Sequence, residues 1–224
     1  MTILALEFSS EQRSVAIVRG RAGDAASVIS EVVETGAGGT MAFEMIQAAL
    51  REAKLEREQI EVLAIGLGPG SYTGIRVALS IAQGWQLASR PGGMKLLGVS
   101  SAEGVAAQAR AEQIRGRVNV VIDAQRNEFY LAAYEISASG WKEIEPLRIV
   151  ARREVESLAE AKQILIGPEI MRWFPNGRRI LPRAAMMGQL ALSRNGFATG
   201  AGLEPIYLRE SNYVKAPPGR QTAS

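Results

Sequence analysis

Few residues in this sequence are equipped for chemistry. The chain contains neither His nor Cys. Without Cys there is no thiol nucleophile, disulfide or thiolate metal site. Without His the usual proton shuttle near neutral pH is missing, and with it Ser-His-Asp hydrolysis and histidine-bound zinc. A peptidase therefore has neither a nucleophile–base pair nor its metal ligands. What remains is a glycine-rich segment, Gly66-Leu-Gly-Pro-Gly-Ser-Tyr-Thr-Gly-Ile-Arg76, and two carboxylates at turns, Glu7 and Asp123. Carboxylates alone can hold Mg²⁺. If Glu7 and Asp123 faced one cleft, they would suit a small-molecule phosphotransferase of the sugar-kinase type.

The glycine segment runs from a strand into a helix, where free N–H groups attract anions. It does not fit the common phosphate motifs. A Walker loop ends in Gly-Lys-Ser/Thr, and here Gly74-Ile75-Arg76 stands in that place. A dinucleotide fingerprint requires a third glycine where Ser71 sits. A kinase glycine loop joins two strands. Two readings stay open: an anion site, or a structural turn in which Gly68, Pro69, Gly70, Ser71 and Gly74 let a helix pack closely on a sheet.

The elements that position these residues follow from patterning. Residues 2–8 read as a buried strand rather than a leader, with Ser14–Arg19 its hairpin partner and Ser27–Val33 a third strand. Thr40–Lys54 has helical spacing, Glu61–Leu67 is a strand, and Thr73–Ser89 is a second helix. Met94–Val99 is a strand, and a helix starts near Ser100-Ser101. The pattern then restarts. Val118–Ile122, Glu128–Ile136 and Trp141–Val150 read as strands, Arg153–Ala161 as a helix, Ile164–Ile166 as a strand and 184–194 as a helix. ILALEFSSEQRSVAIV and VNVVIDAQRNEFYLAAY share strand, acid, polar turn with an arginine (Arg13, Arg126), strand. This repetition suggests a duplicated α/β unit, divided as 1–102 and 103–224, with the last segment returning toward the first unit and a flexible tail over 215–224.

Composition fits a cytosolic globular protein, with no apolar run of the ~18–20 residues that cross a bilayer. The net charge of +3 is spread in small clusters such as Arg152-Arg153 and Arg178-Arg179, without a basic stripe interleaved with aromatics. Direct nucleic-acid binding is therefore not expected.

Both early helices carry more apolar surface than one stripe needs. Besides a main face, Phe43, Ile46 and Leu50 form a second ridge on the first helix, and Ile75, Leu79 and Ala82 on the second. A helix apolar on two sides is covered on two sides. Either the chain's own core covers both, or another chain does.

GLGPGSYTGIRVALSIAQGW, followed by LLGVSSAEGVA, closely resembles the TsaB (YeaZ) family, and VIDAQRNEFYLAAY and EPIYLRESNYVKAP resemble its later segments. The resemblance implies a duplicated actin-like, sugar-kinase-like fold. It also implies a non-catalytic subunit working with a larger catalytic paralogue, TsaD, and an ATPase, TsaE, which together place threonylcarbamoyl on tRNA adenosine. Such a chain reaches tRNA only through the complex, pairs with itself when alone, and needs no cofactor, catalytic residue or metal of its own. Two positions depart from the family pattern. Glu7-Phe8-Ser9-Ser10 replaces an Asp-Thr-Ser type of turn, and Gly38-Gly39-Thr40 stands where a His is common. The resemblance favours the second ridges as a partner surface, with Phe43, Ile46, Leu50, Ile75 and Leu79 exposed and Arg76 and Gln83 on its polar border.

Overall fold

The computed structural model describes residues 1–21, 26–36, 41–90, 93–198 and 202–209. Gly38-Gly39-Thr40, the expected tail over 215–224 and the end of the C-terminal signature lie outside the described residues.

Two five-stranded sheets are built on one plan. The first contains β1 (Thr2–Glu7), β2 (Gln12–Arg19), β3 (Ser27–Thr35), β4 (Val62–Gly66) and β5 (Lys95–Val99), in the order β3-β2-β1-β4-β5. β1 pairs antiparallel with β2 and parallel with β4. The second contains β6 (Gly116–Asp123), β7 (Glu128–Ile136), β8 (Trp141–Ala151), β9 (Ile164–Gly167) and β10 (Arg178–Arg179), in the order β8-β7-β6-β9-β10. β6 again pairs antiparallel with the next strand and parallel with the one after the crossover. Helices α1 (Ala42–Ala53) and α2 (Tyr72–Ala88) follow β3 and β4. Their counterparts in the second unit are α4 (Arg152–Glu160) and the short α5 (Ile170–Trp173). The fold is a duplicated actin-like α/β architecture.

The strand period of two divides the first sheet between two cores. Leu4, Leu6, Val15, Ile17, Leu63 and Ile65 point to the face covered by α1 and α2. Ile3, Ala5, Ala16, Val18, Val62 and Ala64 point to the other face, which α6 (Ala184–Leu192) covers. Alanines there let α6 approach so closely that a Cβ on Gly188 would stand 2.5 Å from a Val18 methyl. α6 thus closes the core of the first sheet although it follows the second repeat. α3 (Ser101–Ala111) does the reverse, packing Ala102, Val105, Ala106 and Ala109 on β6, β7 and β9. The two helices meet, with Ala107 joining the α6 core. Orphan N–H groups at the start of α6 find partners on the first sheet: Ala184 donates to Ser14 Oγ (2.8 Å) and Ala185 to Glu31 (3.1 Å).

The chain then returns toward the first unit. Leu203 enters the α1–α2 core, and Ile206 N–H donates to the Leu67 carbonyl (2.9 Å). Arg209 crosses back to the second unit, pairing with Glu128 at 2.6 Å and donating to the Ala124 carbonyl at 2.9 Å.

Candidate protein–protein interface and subdomain cleft

The glycine-rich loop packs on the β1–β2 turn. Gly70 holds φ +145°, and a Cβ there would stand 2.1 Å from the Ser9 carbonyl oxygen. A Cβ on Gly74 would stand 1.9 Å from the Phe8 carbonyl oxygen. Ser71 N–H donates to the Ser9 carbonyl at 2.6 Å, and Ser71 Oγ accepts from Gly74 N–H at the start of α2. Gly68 has φ +87° and joins Pro69 through a cis peptide.

Glu7 lies beneath this contact, fully buried. One of its oxygens accepts from Ser9 N–H (2.7 Å) and the other from Ser101 Oγ (2.9 Å), which in turn accepts from Gly68 N–H (3.1 Å). Burial pushes the Glu7 carboxyl above its ordinary range despite the hydrogen bonds, which pull the other way. Phe8 turns fully into the α1–α2 core.

A cleft of about 590 Å³ separates the two subdomains. Ser9, Ser10, Arg13, Gly70 and Ser71 line one wall, and Asp123, Gln125, Tyr130, Glu169 and Arg172 the other. Asp123 faces it, whereas Glu7 is sealed below and does not reach its surface. Glu7 and Asp123 therefore do not face one cleft: Glu7, followed by an apolar Phe, folds inward. Burial also raises the Glu169 carboxyl above its ordinary range, with Asp123 and Glu11 adding to the effect.

The second-ridge expectation also needs correction. Ile46, Ile75 and Leu79 are buried in the chain's own core, so they do not form an exposed patch. Both helices lie on the sheet with one stripe down: Ala42, Met45, Ile46 and Ala49 on α1, and Gly74, Ile75, Ala78, Leu79 and Ala82 on α2. The contact of Gly74 with the Phe8 carbonyl sets the rotation of α2. Val77 and Trp85 therefore end half-buried at its flank. Leu50 is half-buried, and Phe43, Arg76 and Gln83 are on the surface.

Between the helices runs a groove of about 530 Å³ lined by Phe43, Tyr72, Thr73, Arg76, Val77, Ser80, Gly84 and Trp85, among others. Phe43 is 60% exposed and Tyr72 54%. A Cβ on Gly84 would meet nothing within 4 Å, so the groove floor is open there. Its lip continues into the returning C-terminal segment. Tyr207 stacks on Tyr72 (5.7 Å between ring centres), and Arg76 lies 4.2 Å over the Tyr72 ring while hydrogen-bonding Tyr207. Sequence reasoning missed Tyr72, Ser80, Gly84 and Tyr207. The small residues Thr73, Ser80 and Gly84, on the side of α2 away from Ile75, were the available signal.

The model of the tRNA N6-adenosine threonylcarbamoyltransferase family, TsaD, matches residues 41–204. Over 241 aligned positions the chain is 30% identical to the tRNA threonylcarbamoyladenosine biosynthesis protein TsaB of Haemophilus influenzae, covering 99% of each. The chain belongs to the TsaB (YeaZ) family. It is also 29% identical to TsaB of Escherichia coli over 196 residues, 79% of this chain and 83% of that one. YeaZ from Pseudomonas aeruginosa superposes with a TM-score of 0.75 at 25% identity, over 92% of this chain and 99% of the other. Among the described residues no helix is long and apolar enough to cross a membrane.

Proposed function

We propose that this chain is a non-catalytic subunit of a cytoplasmic assembly that forms threonylcarbamoyladenosine on tRNA. It acts by docking on a TsaD-like catalytic paralogue that works with a TsaE-like ATPase. The observation that carries this reading is the α1–α2 groove, an open apolar channel edged by exposed Phe43 and Tyr72. The TsaD family model matches this chain, so a catalytic partner built on the same plan would present an equivalent pair of helices. Helix pair against helix pair fits a groove floored by small side chains, with Arg76 and Gln83 at its polar edge. A second copy of this chain would occupy the groove when the paralogue is absent. The sealed Glu7 argues against the phosphotransferase alternative, because its carboxylate is committed to Ser9 and Ser101. The glycine loop is read as structural, since Gly70 and Gly74 each admit a neighbouring carbonyl.

Co-expression with the catalytic paralogue tests the docking. Gly84→Glu or Phe43→Asp should reduce co-purification at least about tenfold, a loss of ~1.4 kcal/mol or more. Neither should lower the melting temperature, since both side chains enter open space. Retained co-purification in both variants overturns the assignment of the groove.

A further inference from the structure

The β6–β7 turn carries three consecutive left-handed residues, none of them glycine: Gln125 (φ 64°), Arg126 (φ 57°) and Asn127 (φ 65°). Each such residue costs ~1–2 kcal/mol, and such strain persists only where surrounding structure enforces it. Here the enforcement comes from several sides. Asp123 accepts from Gln125 N–H (2.7 Å), Arg209 donates to the Ala124 carbonyl, and Arg152 N–H donates to the Asn127 carbonyl (3.2 Å). The result is an Arg126 held out from the sheet beside two further basic groups. Arg126, Arg172 and Trp173 line one small depression with Asp123. The guanidinium groups of Arg172 and Arg152 lie 4.9 and 5.7 Å from the centre of the Trp173 ring. Arg153 is the next residue on the helix that holds the turn.

Of the residues lining this depression, Asp123 is the one acid. Arg126, Arg153 and Arg172 are exposed, and none makes an ion pair among the described residues, whereas Arg152 is matched by Glu156 and Arg179 by Glu11. Asp123 is engaged by its own turn.

We propose that this face, centred on Arg126, Arg172 and Trp173, is a contact surface for the phosphate backbone of tRNA within the assembly. The proposal rests on the reading above, in that it takes tRNA as the assembly's substrate. Unpaired guanidinium groups suit phosphates, which they grip bidentately. A protein partner would have to bring an acid of its own for every guanidinium that it buried. A polyphosphate backbone supplies closely spaced anions along its length.

The test is fluorescence anisotropy of the full chain, alone and with its catalytic paralogue, against end-labelled unmodified bulk tRNA at salt from about 50 to 200 mM. Arg126→Gly suits the left-handed backbone and so keeps the fold, which melting curves confirm. Combined with Arg172→Ala, it should flatten the plot of log affinity against log salt by ~0.7–0.9 for each phosphate no longer neutralised. Arg172→Lys should keep most of the slope, and Arg51→Ala on α1 should leave it unchanged. A double variant with the wild-type slope overturns the proposal. So does a wild-type chain that shows no salt-dependent tRNA binding in either form. If the double variant fails to co-purify with the paralogue while keeping its tRNA slope, the face is a protein contact and the RNA assignment is wrong. Failure of the wild-type chain to co-purify at all would instead overturn the docking reading, and the tRNA slopes of the chain alone would still decide this proposal.

Discussion

The two hairpin turns that open the repeats occupy equivalent places and have opposite fates. In the first, Glu7-Phe8-Ser9 is closed over. The carboxylate and the aromatic ring are fully buried, and the carbonyls of Phe8 and Ser9 press against Gly74 and Gly70. In the second, Asp123 faces the cleft and Arg126 stands in solvent. The difference follows from the helix that comes after the crossover. α2 has 17 residues and enters through a loop whose glycines let it lie directly on the turn, whereas α5 has four and leaves its turn uncovered. Duplicated backbones therefore do not imply duplicated sites: one turn became part of the core, and the other stayed available to a ligand.

Five substitutions can break or sharpen this contrast. The largest effect is expected from Phe8→Ala, which empties a fully buried aromatic site and should cost ~3–5 kcal/mol in denaturant unfolding. A loss under ~1 kcal/mol would mean that the first turn is not part of the core. Next is Gly74→Ala, whose methyl would overlap a backbone oxygen that cannot move without displacing β1. We expect a loss of ~3 kcal/mol or more, set against Gly84→Ala on the same helix, which should be neutral or stabilising by up to ~1 kcal/mol. Equal behaviour of the two alanines would remove the close approach as the cause.

Glu7→Gln probes the charge under the turn. The folded state raises the Glu7 pKa above that of the unfolded chain, so it favours the protonated acid. Its contribution to stability is therefore full below about 4.5 and lost as pH rises through the folded value. The variant should melt at a higher temperature than the wild type at pH 8, by a few degrees, with the gap closing toward pH 4.5. A gap independent of pH would show that Glu7 is not titrating in its site. The smallest effect belongs to the open turn: Gln125→Gly relieves one left-handed residue and should stabilise by ~0.5–1 kcal/mol, less what the side-chain hydrogen bond to Asp123 contributed. Destabilisation instead would show that this side-chain bond outweighs the strain.

The sequence by itself determined the elements, their repetition and the family. The apolar runs at 2–8 and 118–122, the restart of strand, acid, turn and strand, and the glycine segment are all local patterns, and each appears in the structure close to its expected bounds. Only the tertiary structure decided which way α1 and α2 face. Ile46, Ile75 and Leu79 went inward, and the opposite flank with Val77, Gly84 and Trp85 lines the groove. A helix apolar on two sides carries no periodic signal for which side meets the sheet. That choice was made by a contact between residues far apart in the chain, Gly74 against the Phe8 carbonyl. The same reason hid the basic face. Arg126, Arg152 and Arg172 stand on three separate elements, and no stripe exists until a turn and two helices bring them around Trp173.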